Sequence, residues 1–204
     1  NSNTLPIETN QLIRHNIEKS SSSDQKSFHI PRTGTNMLFH NKSLNSSEFI
    51  NILDGFDDVK VEVEYSSMND YFDTIIDILT EINQNRNDPL KVVVFISDIE
   101  VVDDKFNNSN LISEVIIENS VNEIGELSFS GCMELRKVTL SSSVTSIGES
   151  AFSECPSLEE VVMTDSVTNI GENCFNGCSS LTKITLPKSL ETIQSTTFNE
   201  CTGL

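Results

Sequence analysis

Four serines and four cysteines recur at intervals of 23 residues in the second half of this 204-residue chain: Ser120, Ser143, Ser166 and Ser189, then Cys132, Cys155, Cys178 and Cys201. Rows of hydroxyls and thiols are raw material for nucleophilic catalysis, thiolate metal sites or disulfides, and each of these needs companions. A Ser or Cys nucleophile needs a base within hydrogen-bond reach. Zinc needs four nitrogen or sulfur ligands, usually from close Cys or Cys/His pairs. Here the three His, at positions 15, 29 and 40, precede the repeats, no two Cys form a C-x-x-C pair, and the total of five Cys is odd. The serine row is therefore assigned to side-chain to backbone hydrogen bonding in a turn. The cysteine row is assigned to small thiols filling a repeated niche, and Cys174, in the column of Ser128, Ala151 and Thr197, to a small-residue substitution.

Other candidates are weaker. Arg32-Thr33-Gly34-Thr35-Asn36 is a small Gly turn without the lysine spacing of a phosphate loop. The pairs Asp57-Asp58 and Asp103-Asp104 lack the alternating ligand spacing of a calcium loop and read as solvated loop charge. No metal and no cofactor is assigned. An enzyme would need titratable groups at a strand edge, for which Asp98 and Glu100 are the hints.

The elements that carry these rows come from one template. Written in lines of 23 from Ile112, Leu135, Leu158 and Leu181, the chain repeats four times, with Leu204 opening a fifth line. The fourth column is Val115, Val138, Val161 and Ile184, and the sixth Ile117, Leu140, Met163 and Leu186, which with the first column make a short strand. Val121, Val144, Val167 and Leu190, then Ile124, Ile147, Ile170 and Ile193, then Phe129, Phe152, Phe175 and Phe198, complete the inward set together with the cysteines. One such unit cannot enclose its own apolar side chains, so stability is collective and the coils must stack at the strand spacing of about 4.8 Å. Gly125, Gly148 and Gly171 follow the isoleucine column, where a tight turn wants positive φ or leaves no room for a Cβ; Gln194 breaks the rule. Asn1 in place of Met, and the fifth line opening at Leu204, lead us to expect a piece of a longer array.

Upstream the texture differs. Residues 1–45 are polar, with the run Ser20 to Asp24, and are expected to be a flexible tail, although Phe28-His29-Ile30-Pro31 and Met37-Leu38-Phe39-His40 are patches able to dock. Residues 46–111 form a β-α-β cap or degenerate repeats: alternation over Val59–Tyr65 predicts a strand, Tyr71, Phe72, Ile75, Ile76, Leu79 and Ile82 share a helical face capped by Asn69 and Asp70, Pro89 ends that helix, and Leu90–Ile96 predicts a strand covered on both faces. Leu90–Leu111 is alternatively a degenerate 22-residue coil, with Phe106 near the Phe column. Thirteen Lys and Arg against 31 Asp and Glu give a net charge of −18, which repels nucleic acid and anionic lipid, and the longest apolar run, Val92–Ile96, is far short of the ~20 residues of a membrane-spanning helix. Neither nucleic acid nor membrane insertion is expected.

The motif Leu135-Arg136-Lys137-Val138-Thr139-Leu140, Ser143-Val144, Ile147-Gly148, Phe152, Cys155, Leu158, recurring in phase through residues 112–204, resembles BspA-like leucine-rich repeats. The resemblance implies an α/β-class right-handed solenoid of 23-residue coils with parallel strands on its concave side, preceded here by the strand-helix-strand segment. It also implies proteins of microbial or protozoan surfaces linked to adhesion, and it brings no catalytic residues.

The candidate partner-binding face is the set of outward strand positions Arg136, Lys137, Thr139, Glu159, Glu160, Val162, Thr182, Lys183 and Thr185, with Glu114, Lys137, Glu160 and Lys183 alternating in sign from coil to coil. The chain is thus expected to be a non-enzymatic module that binds a protein or other macromolecule, in surface adhesion or recognition, with an intracellular scaffold as the alternative. Asn41, Asn45 and Asn107 lie in N-x-S/T sequons, which favour a secretory route, while the cytoplasm stays open as the other compartment.

Overall fold

The computed structural model describes residues 26–30, 58–67 and 72–204, which fall into two compact units, 1–93 and 94–204. Outside the described residues lie Ser20–Asp24, Met37–His40, Asn69 to Tyr71, the Arg32–Asn36 turn, Asp57, His15, His40 and the sequons at Asn41 and Asn45.

The first unit contains β1 (Lys26–Ile30), β2 (Val59–Tyr65), α1 (Phe72–Gln84) and the start of β3 (Lys91–Ile96). β1, which falls within the span 1–45, runs parallel to β2 with Lys26 opposite Val59, and β2 neighbours β3. Alternation does what the sequence predicts: Val59, Val61 and Val63 are buried while the residues between them are not. α1 buries Phe72, Ile75, Leu79 and Ile82 at helical spacing, and the Phe72 ring meets Tyr65 edge-on at 4.8 Å. The helix ends at Gln84, ahead of Pro89, because asparagines take over its last groups. The Asn85 side chain donates to Glu81 O, and the Asn83 side-chain oxygen accepts from Leu90 N at 2.7 Å, turning the chain into β3. Val92, Val93 and Val94 are buried consecutively, as a strand covered on both faces requires.

The second unit is a parallel-strand solenoid. Its strands are β4 (Val101–Val102), β5 (Ile112–Ile117), β6 (Glu123–Ile124), β7 (Lys137–Thr139), β8 (Ser146–Ile147), β9 (Glu160–Val162) and β10 (Asn169–Ile170). They pair in two parallel ladders, β5-β7-β9 and β4-β6-β8-β10. The register is the 23-residue period itself: Val115 faces Val138 and Val138 faces Val161, while Ile124 faces Ile147 and Ile147 faces Ile170.

Between the ladders the columns close the interior. Phe106, Phe129, Phe152, Phe175 and Phe198 stack with centroids 5.3, 5.4, 5.6 and 5.5 Å apart and rings within 16° of parallel. Phe106 therefore begins the stack, and residues 94–111 form a coil ahead of Ile112. Each thiol of the cysteine column donates to the carbonyl of the Phe one coil back, from Cys132 to Phe106 O at 3.2 Å through Cys155 to Phe129 O and Cys178 to Phe152 O, both at 3.1 Å, to Cys201 and Phe175 O at 3.0 Å. The thiols thus satisfy buried carbonyls as well as fill space. All five cysteines are unpaired.

The glycine column is explained by space alone. A Cβ on Gly148 or Gly171 would come within 2.6 or 2.5 Å of the backbone nitrogen of Glu126 or Glu149 in the preceding coil, and neither glycine has positive φ. Left-handed backbone occurs elsewhere, at Gly131 (φ 71°), Glu154 (55°), Gly177 (78°) and Glu200 (58°), a column in which two glycines are the visible trace.

Gln194 brings a Cβ to that crowded place, and the last coil departs from the stack there. No strand forms over residues 181–204, Ile193 is 50% exposed where its column predicted an inward side chain, and the buried Thr197 hydroxyl has no partner. In the same column Ser128 donates to Gly125 O at 2.6 Å and to Val102 O at 2.9 Å. The turn side of the coil nevertheless stays attached, with Phe175 N and Gly177 N donating to Thr197 O and Asn199 O.

Three outcomes follow for stability. Phe152→Ala, which removes a fully buried ring held between two others, is expected to lower unfolding free energy by about 3–5 kcal/mol, and Phe198→Ala, half-buried, by clearly less; guanidinium titration of both variants decides. Gln194→Gly should let the last coil settle, burying Ile193 and giving Thr197 its acceptor, for a gain of about 1 kcal/mol; an unchanged midpoint would contradict this. Burial holds the Cys174 thiol well above its ordinary range and pushes Cys178 up to about 12. Unfolded thiols ionise near about 8.5, so the folded state keeps protons that the unfolded state loses. Stability is then complete below that pH and declines as pH rises toward 12, with a shallower decline in Cys178→Ala by urea midpoints measured across the same range.

Candidate partner-binding face

Side chains alternate across β5, β7 and β9, so the apolar fourth column points inward and its flanking positions point out. On the outer side the strand register sets Glu114 opposite Lys137 and Lys137 opposite Glu160. The Lys137 ammonium reaches Glu160 at 2.8 Å and Arg136 reaches Glu159 at 2.7 Å, forming two parallel cross-strand ion pairs. The hydrogen bond and charge of Glu160, with Glu114 adding on the other side, hold the Lys137 ammonium above its ordinary pKa. Thr139 and Val162 sit opposite each other on the same face, and Val162 is 38% exposed.

Six of the nine predicted face residues are thus brought together: Lys137, Thr139, Glu160 and Val162 on two paired strands, and Arg136 and Glu159 immediately ahead of them. Thr182, Lys183 and Thr185 are exposed but stand outside the ladder, because residues 181–186 form no strand. Lys183 makes no ion pair among the described residues, so the alternating row ends at Glu160. Lys183 and Thr185 instead face Glu159, Glu160, Val161, Val162 and Met163 across a groove of about 400 Å³. Pro187, which follows this segment, has no amide proton. Pro187 and Gln194, which flank this segment, are legible as departures from the template, although the groove itself is not.

The other predicted rows are structural. Ser143, Ser166 and Ser189 each donate to a carbonyl of the preceding coil, Val121 O, Val144 O and Val167 O, at 2.7 Å. Ser120 accepts from Asp98 N at 2.7 Å. Asp103 caps the short turn Asp104–Phe106 by accepting from Lys105 N, and Asp58 pairs with Lys91 at 3.0 Å. Among the described residues no group of three or more His, Cys, Asp or Glu is placed to hold a metal ion, and no helix is long and apolar enough to cross a membrane.

Among curated proteins none matches this chain. Of solved structures, a leucine-rich repeat protein from T. pallidum aligns at 30% identity with a TM-score of 0.53, over 56% of this chain and 56% of that one. A leucine-rich repeat protein from Eubacterium ventriosum aligns at 26% identity and a TM-score of 0.45, over 55% of this chain and 38% of its own. A leucine-rich cell surface protein from Faecalibacterium prausnitzii aligns at 30% identity and a TM-score of 0.42, over 59% of this chain and 39% of its own. The matched stretch thus spans between about two fifths and just over half of these proteins. The family model for the BspA type leucine-rich repeat region matches residues 99–204 in six copies, just over half of the chain. With the ladders, the Phe stack and the thiol column in register across that same span, the chain belongs to the BspA type leucine-rich repeat family.

Proposed function

We propose that this chain is a non-enzymatic protein-binding module whose recognition surface is the outer face of β5, β7 and β9, working in surface adhesion or recognition. The observation that carries the reading is the charged row fixed by strand register, Glu114, Lys137 and Glu160, beside the Arg136–Glu159 pair and the exposed Val162. A parallel ladder holds these groups without reorganisation, so a complementary partner meets a preorganised surface and loses little entropy in fitting it. The net charge of −18 favours a partner with a basic surface.

An intracellular scaffold is the second reading, and the observation in its favour is the set of five unpaired thiols, since oxidising compartments favour disulfides. Intact-mass measurement of native material separates the two: glycan at Asn41, Asn45 or Asn107 supports the secretory route, and bare asparagines support the scaffold.

The face itself is tested by charge reversal. Lys137→Glu combined with Lys183→Glu is expected to change the set of proteins captured by the immobilised chain, with the fold intact by circular dichroism. The swap Lys137→Glu with Glu160→Lys should restore the ion pair and the stability without restoring capture. An unchanged partner set in both variants removes this face from consideration.

A further inference from the structure

The groove beside β9 is bounded by a strand whose backbone is open on one side. On β9, Glu160 N donates to Arg136 O at 3.2 Å, and Val162 O accepts from Leu140 N at 2.9 Å, so both residues turn their backbone groups toward β7. Successive residues of a strand point these groups to opposite sides, so the N–H and C=O of Val161 face the groove. Residues 181–186 donate nothing to β9 and accept nothing from it. The last coil is nevertheless fastened at both ends of this stretch, by Ser180 N to Pro156 O at 3.2 Å and by Ser189 Oγ to Val167 O at 2.7 Å. The result is a slot of about 400 Å³ with fixed rims, along which the N–H and C=O of Val161 face no strand, within the volume range of preformed ligand sites. A free strand edge of this kind is a template for adding another strand.

We propose that the β9 edge accepts an extended basic peptide as an added parallel strand, with a Lys or Arg opposite Glu160 and a β-branched apolar residue two positions on, opposite Val162. The alternation of sign specifies the cation. Glu114 faces Lys137 and Lys137 faces Glu160, so the next group in the row must be positive, and Lys183, which the repeat would place there, lies across the groove without an ion pair among the described residues. The apolar requirement comes from Val162, which is 38% exposed on the same face. The surroundings favour a basic occupant over an acidic one, because residues 94–204 carry seventeen Asp and Glu against five Lys and Arg. The proposal rests on the reading of this chain as a partner-binding module, and it places recognition on the strand edge as well as on the outer face.

The test uses the full isotope-labelled chain and blocked seven-residue peptides with central lysine-valine-valine or glutamate-valine-valine. The lysine peptide is expected to shift the amide resonances of Glu159 to Met163 and to bind about tenfold more tightly than the glutamate peptide. N-methylation of the second valine, whose amide would donate to Val161 O, should abolish binding. Glu160→Lys should reverse the preference in favour of the glutamate peptide. The proposal is overturned if neither peptide binds, if the two bind alike, if N-methylation has no effect, if the shifts fall elsewhere, or if sedimentation shows the chain pairing with a second copy at this edge in place of the peptide. A failure here, with partner capture still sensitive to Lys137→Glu and Lys183→Glu, leaves the outer face standing and removes the edge alone.

Discussion

Coil-upon-coil contact at the spacing of a hydrogen-bonded strand is the constraint from which the solenoid follows. A single coil cannot exclude water from its own Phe ring or from its valines and isoleucines. The next coil does so, and the rings accordingly lie 5.3 to 5.6 Å apart through five coils. Everything on the exterior inherits that interval, including the Glu114, Lys137, Glu160 row, so the charged outer face is a by-product of the packing rule.

The same rule makes the structure sensitive to small additions. Where three coils have glycine there is no space for one carbon atom, and in the coil carrying Gln194 both strand ladders are lost while the Phe turn stays bonded. The coil in which the template is broken, at Pro187 and Gln194, is also the one that leaves β9 without a strand partner. In a repeat protein, stability is a sum of neighbour contacts, so such a break stays local: the Phe stack continues through it to Phe198.

The polar rows show how hydroxyls and thiols serve the packing of one coil on another. Ser143, Ser166 and Ser189 and the cysteine column donate to carbonyls of the preceding coil, at 2.7 Å for the serines and 3.0–3.2 Å for the thiols. The carbonyls of Phe106, Phe129 and Phe175 also accept a backbone N–H, from Ser109, Cys132 and Cys178, so there the thiol is a second donor to the same oxygen. A periodic polar residue in a solenoid thus has a structural reason to recur.

Period, strand positions and inward columns were determined by the sequence alone for the coils from Ile112 to Ser180, because a residue's place in a 23-residue coil fixes its environment there; in the last coil the expected strand over 181–186 and the inward Ile193 did not form. Val59–Tyr65, the buried face of Phe72–Gln84, the Phe stack and the serine hydrogen bonds were legible for that reason. Tertiary structure decided what depends on a meeting of two coils: which of two explanations holds for the glycine column, that the cysteine thiols bond to Phe carbonyls, and that Thr182, Lys183 and Thr185 stand apart from the ladder. Gln194 and Pro187 were visible as exceptions, yet their effect was not. A clash, a missing donor or an open strand edge is a relation between backbones, and one line of the repeat does not contain the line it must lie upon.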